Sequence, residues 1–138
     1  MATGRSLKLY LVDGSASGIV TVEIGNWSGH ILFSPRTRIE TALSRAEVSR
    51  TGVYILIGPD YEGQGLQKIY VGEADELKSR LVSHNKEKDF WDRFVSVSSK
   101  DMNLTVTSRQ VVRLFLEQLW FEFVPFLHRL QGRLAAQG

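Results

Sequence analysis

Two short β-branched segments joined by a glycine-containing loop constrain this chain most. Val53-Tyr54-Ile55-Leu56-Ile57 follows Thr51-Gly52 and ends at Gly58-Pro59-Asp60, and Lys68-Ile69-Tyr70-Val71 follows Gly63 and Gly65. Both runs are too short and too rich in β-branched residues for a stable helix, so they read as strands. The glycines and proline between them read as a loop. Side chains alternate faces along a strand, so Tyr54 and Tyr70 share a face if the pair is antiparallel in a suitable register. A helix is expected straight afterwards. Asp75 suits the N-cap and Glu76 the first turn, where the helix dipole favours an acid. Leu77, Arg80, Leu81 and His84 then fall at i, i+3, i+4 and i+7 on one helix face. Tyrosines, an arginine and a histidine converging on one small surface suit the handling of a phosphate ester.

The flanking segments extend this β-rich pattern. Leu7, Leu9 and Leu11 alternate with Lys8 and Tyr10 up to a turn signal at Asp13-Gly14, and Val20, Val22 and Ile24 alternate with Thr21 and Glu23. Ile31-Leu32-Phe33 is a third short run ending at Pro35, and the spacing of Arg38, Ile39, Ala42, Leu43 and Ala46 predicts an amphipathic helix over about residues 37–48. Downstream, Phe90 and Trp91 anchor a loop, Phe94, Val95 and Val97 suggest a strand, and residues 111–124 read as a buried helix ended by Pro125. The expected fold class is therefore α+β, a small antiparallel sheet flanked by helices with an N-terminal β-hairpin extension. The division is an extension over 1–48, a main domain over 49–125 and a tail over 126–138.

Composition excludes several classes. The 138 residues, 43% of them hydrophobic, suffice for one globular core. No apolar run reaches bilayer length and the N-terminus lacks a secretory pattern, so no membrane partner is expected. The absence of cysteine removes disulfides and thiolate metal sites, and fits a cytoplasmic protein. A net charge of +2 permits a nucleic-acid partner without arguing for one, so clustering of basic residues matters more than their total. Lys78, Arg80, Lys86, Lys88 and Arg93 surround the tyrosine–histidine segment, interleaved with Glu76, Glu87, Asp89 and Asp92. They suit either a DNA backbone or an ordinary charge-mixed surface.

On these residues the chain resembles the GIY-YIG nuclease family. Gly52-Val53-Tyr54 and Tyr70-Val71-Gly72 correspond to the two name motifs, each with valine for isoleucine, and the run from Tyr70 through Arg80 to His84 matches the family's strand-to-helix passage. Lys88-Asp89-Phe90-Trp91, Ser98-Ser99-Lys100-Asp101 and Asn103-Leu104-Thr105 resemble a small stand-alone bacterial branch with an N-terminal β extension. The resemblance implies a three-stranded antiparallel sheet flanked by helices and a metal-dependent DNA endonuclease that hydrolyses phosphodiester bonds. Carried over, Tyr54 orients or deprotonates the attacking water with help from Tyr70. Arg80 neutralises charge on the transition state, and His84 acts as a base or holds a phosphate oxygen. Gly72 lets the backbone approach the phosphate, Lys78 and Lys86 hold the substrate, and Glu117 binds one divalent ion, Mg²⁺ or Mn²⁺.

The segment after Thr105 departs from that branch. Val106-Thr107-Ser108-Arg109-Gln110-Val111-Val112-Arg113 stands where a lysine, a histidine and an earlier Leu-Glu are expected. Either a helical turn is inserted, keeping Glu117 on a usable face, or the tail is foreign to the family. Two other functions stay open: a catalytically inactive DNA-binding relative, and a protein-interaction module built on Trp120, Phe121 and Phe123. His30 and His128 read as isolated structural histidines. Gly63 and Gly65 lack the strand–helix context of a nucleotide fingerprint.

Overall fold

The computed structural model describes residues 6–25, 28–59 and 67–99. One antiparallel sheet organises them. Its strands are β1 (Leu7–Leu11), β2 (Val20–Ile24), β3 (Gly29–Pro35), β4 (Gly52–Pro59), β5 (Gln67–Ala74) and β6 (Arg93–Ser99), in the spatial order β1-β2-β3-β6-β4-β5. The architecture is α+β, with two α-helices among the described residues, α1 (Ile39–Leu43) and α2 (Leu77–Glu87). No described helix is long and apolar enough to cross a membrane. The resemblance implied three strands with hairpins added in front. β4, β5 and β6 pair antiparallel, and the N-terminal strands continue the same sheet, β3 pairing with β6 along seven residues from Gly29↔Ser99 to Pro35↔Arg93. An edge of β6 that would otherwise expose backbone donors and acceptors is thereby paired.

Strand alternation sorts the side chains into two faces. On one, Leu32, Tyr54, Leu56, Ala74 and Phe94 pack with Ile39 and Ala42 of α1, Leu77 and Leu81 of α2, and Trp91. On the other, Val20, Val22, Phe33, Ile55, Ile57 and Val95 form a second apolar cluster built from strand residues. Gly58 allows a close crossing, because a Cβ there would collide with the Phe90 carbonyl. The Asp92 N–H donates to the Ile57 carbonyl at 2.8 Å beside it.

Two helix expectations need correction. The helix expected over residues 37–48 is broken into a 3₁₀ turn (Arg36–Arg38), α1, and a second 3₁₀ turn (Ala46–Ser49). Both the N–H (3.2 Å) and the hydroxyl (2.6 Å) of Ser44 donate to the Thr41 carbonyl. That bonding tightens the last turn. Arg45 then turns extended and its guanidinium meets Glu47. The second helix begins at Leu77, with Glu76 and not Asp75 at the N-cap and no side-chain capping bond. The backbone supplies what Asp75 was expected to give: the Leu77 N–H donates to the Arg50 carbonyl at 3.0 Å. Residues 111–124, Gly63, Gly65 and His128 lie outside the described residues.

Candidate functional site

The β4–β5 register builds the site. Tyr54 pairs with Gly72 and Leu56 with Tyr70, so the two tyrosines are diagonal neighbours on the helix-covered face. Their rings stack at a centroid distance of 6.2 Å and 29° between planes. Tyr54 also pairs with Ser96 of β6, so small residues flank it on both sides. Gly72 leaves room for this ring, because a Cβ on it would stand 2.5 Å from the Tyr54 Cζ and Oη and the ring would have to shift. The space that Gly72 leaves open is taken by the phenol of Tyr54.

α2 adds the histidine. Leu77 and Leu81 are fully buried, which turns His84, one turn further, inward beneath the sheet. Its Nε2 lies 2.6 Å from the Tyr54 hydroxyl, and its ring is 5.3 Å from the centroid of each tyrosine. The end of α2 is fixed from a distance in sequence. Arg36 donates to the Asn85 carbonyl at 2.8 Å, to the Asn85 Oδ1 at 2.9 Å and to the Trp91 carbonyl at 3.0 Å, and stacks over the Trp91 ring at 4.3 Å. The Trp91 indole N–H donates to the His84 carbonyl at 3.3 Å.

Burial and charge set the protonation states. Desolvation raises Tyr54 to about 12 from an ordinary 10.0; charge and hydrogen bonding with the Tyr70 phenol add to this, and Arg80 opposes it. His84 is lowered from 6.5, first by burial and then by the positive charges of Lys88 and Arg80, with Glu87 opposing. The Tyr54 hydroxyl donates to Nε2 when the ring proton sits on Nδ1 and accepts from Nε2 in the other tautomer. That Nδ1 is buried and has no hydrogen-bond partner among the described residues.

The sequence-predicted residues therefore separate into groups. Tyr54, Tyr70 and His84 are in mutual contact, and the charge of the exposed Arg80 reaches both Tyr54 and His84. Lys78 and Lys86 are exposed on α2, and Glu117 lies outside the described residues. Lys88 carries more than its sequence position suggested: its ammonium stands 4.8 Å from the Tyr70 ring centroid. Its spacing four residues after His84 was the available signal. Arg36, in contrast, had no local signal. His30 is less isolated than expected, with Nε2 3.6 Å from Glu47 and 3.8 Å from Glu23.

These described residues offer phenols, an imidazole and cations, a set suited to an anion. Among the described residues no group of three or more His, Asp or Glu side chains could hold a metal. The chain is similar to UvrABC system protein C of Fervidobacterium nodosum, with 33% identity over 69 residues, covering 50% of this chain and 11% of that protein. It thus spans about a tenth of that relative's length. No protein-family model matches the chain, and no solved structure matches it.

Proposed function

We propose that this chain is a DNA endonuclease of the GIY-YIG type, hydrolysing a phosphodiester at the Tyr54–Tyr70–His84–Arg80 pocket. The observation that carries the reading is the 2.6 Å contact between the Tyr54 hydroxyl and His84 Nε2, packed beside Tyr70 and within the field of Arg80. The motif resemblance and the partial likeness to UvrABC system protein C support it.

A phenol raised to about 12, bonded to a histidine lowered from its ordinary value, keeps its proton at neutral pH. Tyr54 is therefore not a resting phenolate. Its role is a relay, accepting the proton of an attacking water as its own passes to His84 Nε2. The arriving phosphate makes this transfer easier. Its negative charge offsets Arg80 and Lys88, the two cations that disfavour a charged His84. Tyr70, 39% exposed against 2% for Tyr54, is the open side from which the phosphate enters. Arg80 neutralises charge that builds on the phosphoryl oxygens. Lys78 and Lys86 hold the flanking backbone, and Glu117 would hold the divalent ion, Mg²⁺ or Mn²⁺, which supplies charge neutralisation at the leaving oxygen.

The test is cleavage of single-stranded, duplex and branched DNA with and without Mg²⁺ or Mn²⁺. Metal-dependent cutting is expected, lost in Arg80→Ala and Glu117→Ala and reduced about 10²-fold or more in His84→Ala. Wild-type protein leaving every substrate intact with metal present would refute hydrolysis. The positive charge that Arg80 and Lys88 bring to His84, with no cluster of metal-ligating side chains among the described residues, favours one second reading, DNA binding without cutting. That reading predicts affinity falling steeply with salt and no product.

A further inference from the structure

We infer that β1 is the seam of a symmetric dimer, in which a second copy of this chain pairs antiparallel with it about Leu9. β1 is an edge strand, paired only with β2 among the described residues, and it is exposed throughout. Leu7, Leu9, Tyr10 and Leu11 are 64%, 50%, 55% and 38% exposed, and among the described residues four of the five large exposed hydrophobic side chains lie on this strand. An edge of this kind is a template for another strand.

The backbone bonds show which groups point outward. The Val12 N–H donates to the Ile19 carbonyl at 3.0 Å, and the Gly25 N–H to the Ser6 carbonyl at 2.8 Å. In an antiparallel ladder such pairs recur every second residue. Ser6, Lys8, Tyr10 and Val12 therefore direct their backbone groups at β2, and Leu7, Leu9 and Leu11 direct theirs away. Among the described residues, only the Leu11 carbonyl of this outward set has a local use, accepting from the Gly14 N–H at 3.0 Å; a carbonyl has a second lone pair to offer.

The sequence Leu-Lys-Leu-Tyr-Leu is self-complementary in this one register. With Leu9 opposite its own copy, Leu7 meets Leu11 and Lys8 meets Tyr10. The leucines then form one continuous apolar stripe. It extends the second apolar face, since Leu9 pairs with Val22 and Leu11 with Val20 inside each copy. On the opposite face each lysine meets a tyrosine ring of the other copy, a cation–π pair. Centring one residue earlier would set Lys8 against Lys8, which like-charge repulsion disfavours. The outcome is a continuous sheet through both copies. Because antiparallel partners project to the same side, both Tyr54 side chains lie on one face of it, nine strand spacings or roughly 43 Å apart.

Five residues per copy make a small interface, so the dimer is weak, in the micromolar range or above. Sedimentation of the full chain from about 1 µM to about 1 mM should show a reversible monomer–dimer equilibrium. Leu9→Pro removes the N–H at the two-fold and spares the bonds to β2. Leu9→Lys sets two ammonium groups face to face. Each should weaken association about tenfold or more, with unchanged circular dichroism. If the proline variant does not fold, the lysine variant decides. The chain has no cysteine, so Leu9→Cys should cross-link to a dimer on mild oxidation, whereas Lys8→Cys should need Tyr10→Cys on the other copy. A monomer throughout the range, or a dimer untouched by both Leu9 substitutions, overturns the inference. None of these readouts involves DNA cutting, so they stand or fall separately from the proposed activity.

Discussion

Gly72→Ala is the substitution on which the geometry of the pocket bears most directly. An ideal Cβ at Gly72 would stand 2.5 Å from both Cζ and Oη of Tyr54 and 3.0 Å from its Cε1. Carbon atoms settle at about 3.5–4.0 Å, so the ring must retreat by roughly 1 Å or the strands must part. The Tyr54–His84 contact is 2.6 Å, and a shift of that size breaks it. Overpacking costs about 1–3 kcal/mol. A buried phenol and imidazole left unpaired cost about another 1–3 kcal/mol. The two overlap, giving an expected destabilisation of about 2–4 kcal/mol. If the pocket is catalytic, a 1 Å misplacement lowers turnover about 10²-fold. Urea denaturation measures the first quantity, and an ultraviolet titration of the phenols reports whether Tyr54 still titrates late. In a double-mutant cycle, Tyr54→Phe should couple to Gly72→Ala by about 1 kcal/mol or more, because it removes one of the two atoms struck at 2.5 Å and the His84 hydrogen bond that the displaced ring would lose. A Gly72→Ala protein within about 0.5 kcal/mol of wild type, with Tyr54 titrating unchanged, would refute the packing argument.

The ionisations give two further expectations. Tyr54 is raised in the folded state, so its contribution is present below its ordinary 10.0 and is lost as pH rises through about 12. Stability measured up that range should fall by at most roughly 2–3 kcal/mol, and Tyr54→Phe should remove that part of the loss. His84 is lowered, so the opposite sign applies: its contribution is present above the ordinary 6.5 and is lost as pH falls through the folded value. Acid titration of a His84→Gln variant should lack this component. Trp91 is 2% exposed, and Trp91→Ala should cost about 3–5 kcal/mol in urea denaturation.

Local pattern carried the reading of the strands and of the Arg80–His84 helix face. Alternation in residues 7–11 and 20–24 and the β-branched run after Gly52 mark strands because side-chain period is a local property. The Tyr54–Tyr70 pairing was legible as a possibility and needed a register to become a contact. Non-local relations were not legible. The seven-residue pairing of β3 with β6 joins segments far apart in the chain, and nothing in either run names its partner. Arg36 is 49 residues from Asn85 and 55 from Trp91, yet it fixes the helix end that presents His84. Ser44 defeated the helical spacing of residues 37–48 through a bond its neighbours do not predict.

The sequence by itself determined where strands and the second helix form, that Tyr54, Tyr70, Arg80 and His84 belong to adjoining elements, and that no thiol takes part. Tertiary structure alone decided that Tyr54 is the buried phenol and Tyr70 the exposed one, and that Gly72 serves the Tyr54 ring. It also decided that His84 is held neutral between a phenol and two cations. The physical reason is one of range. Periodicity and propensity act over a few residues, whereas burial, strand register and the fields of Arg80 and Lys88 depend on which distant segments meet.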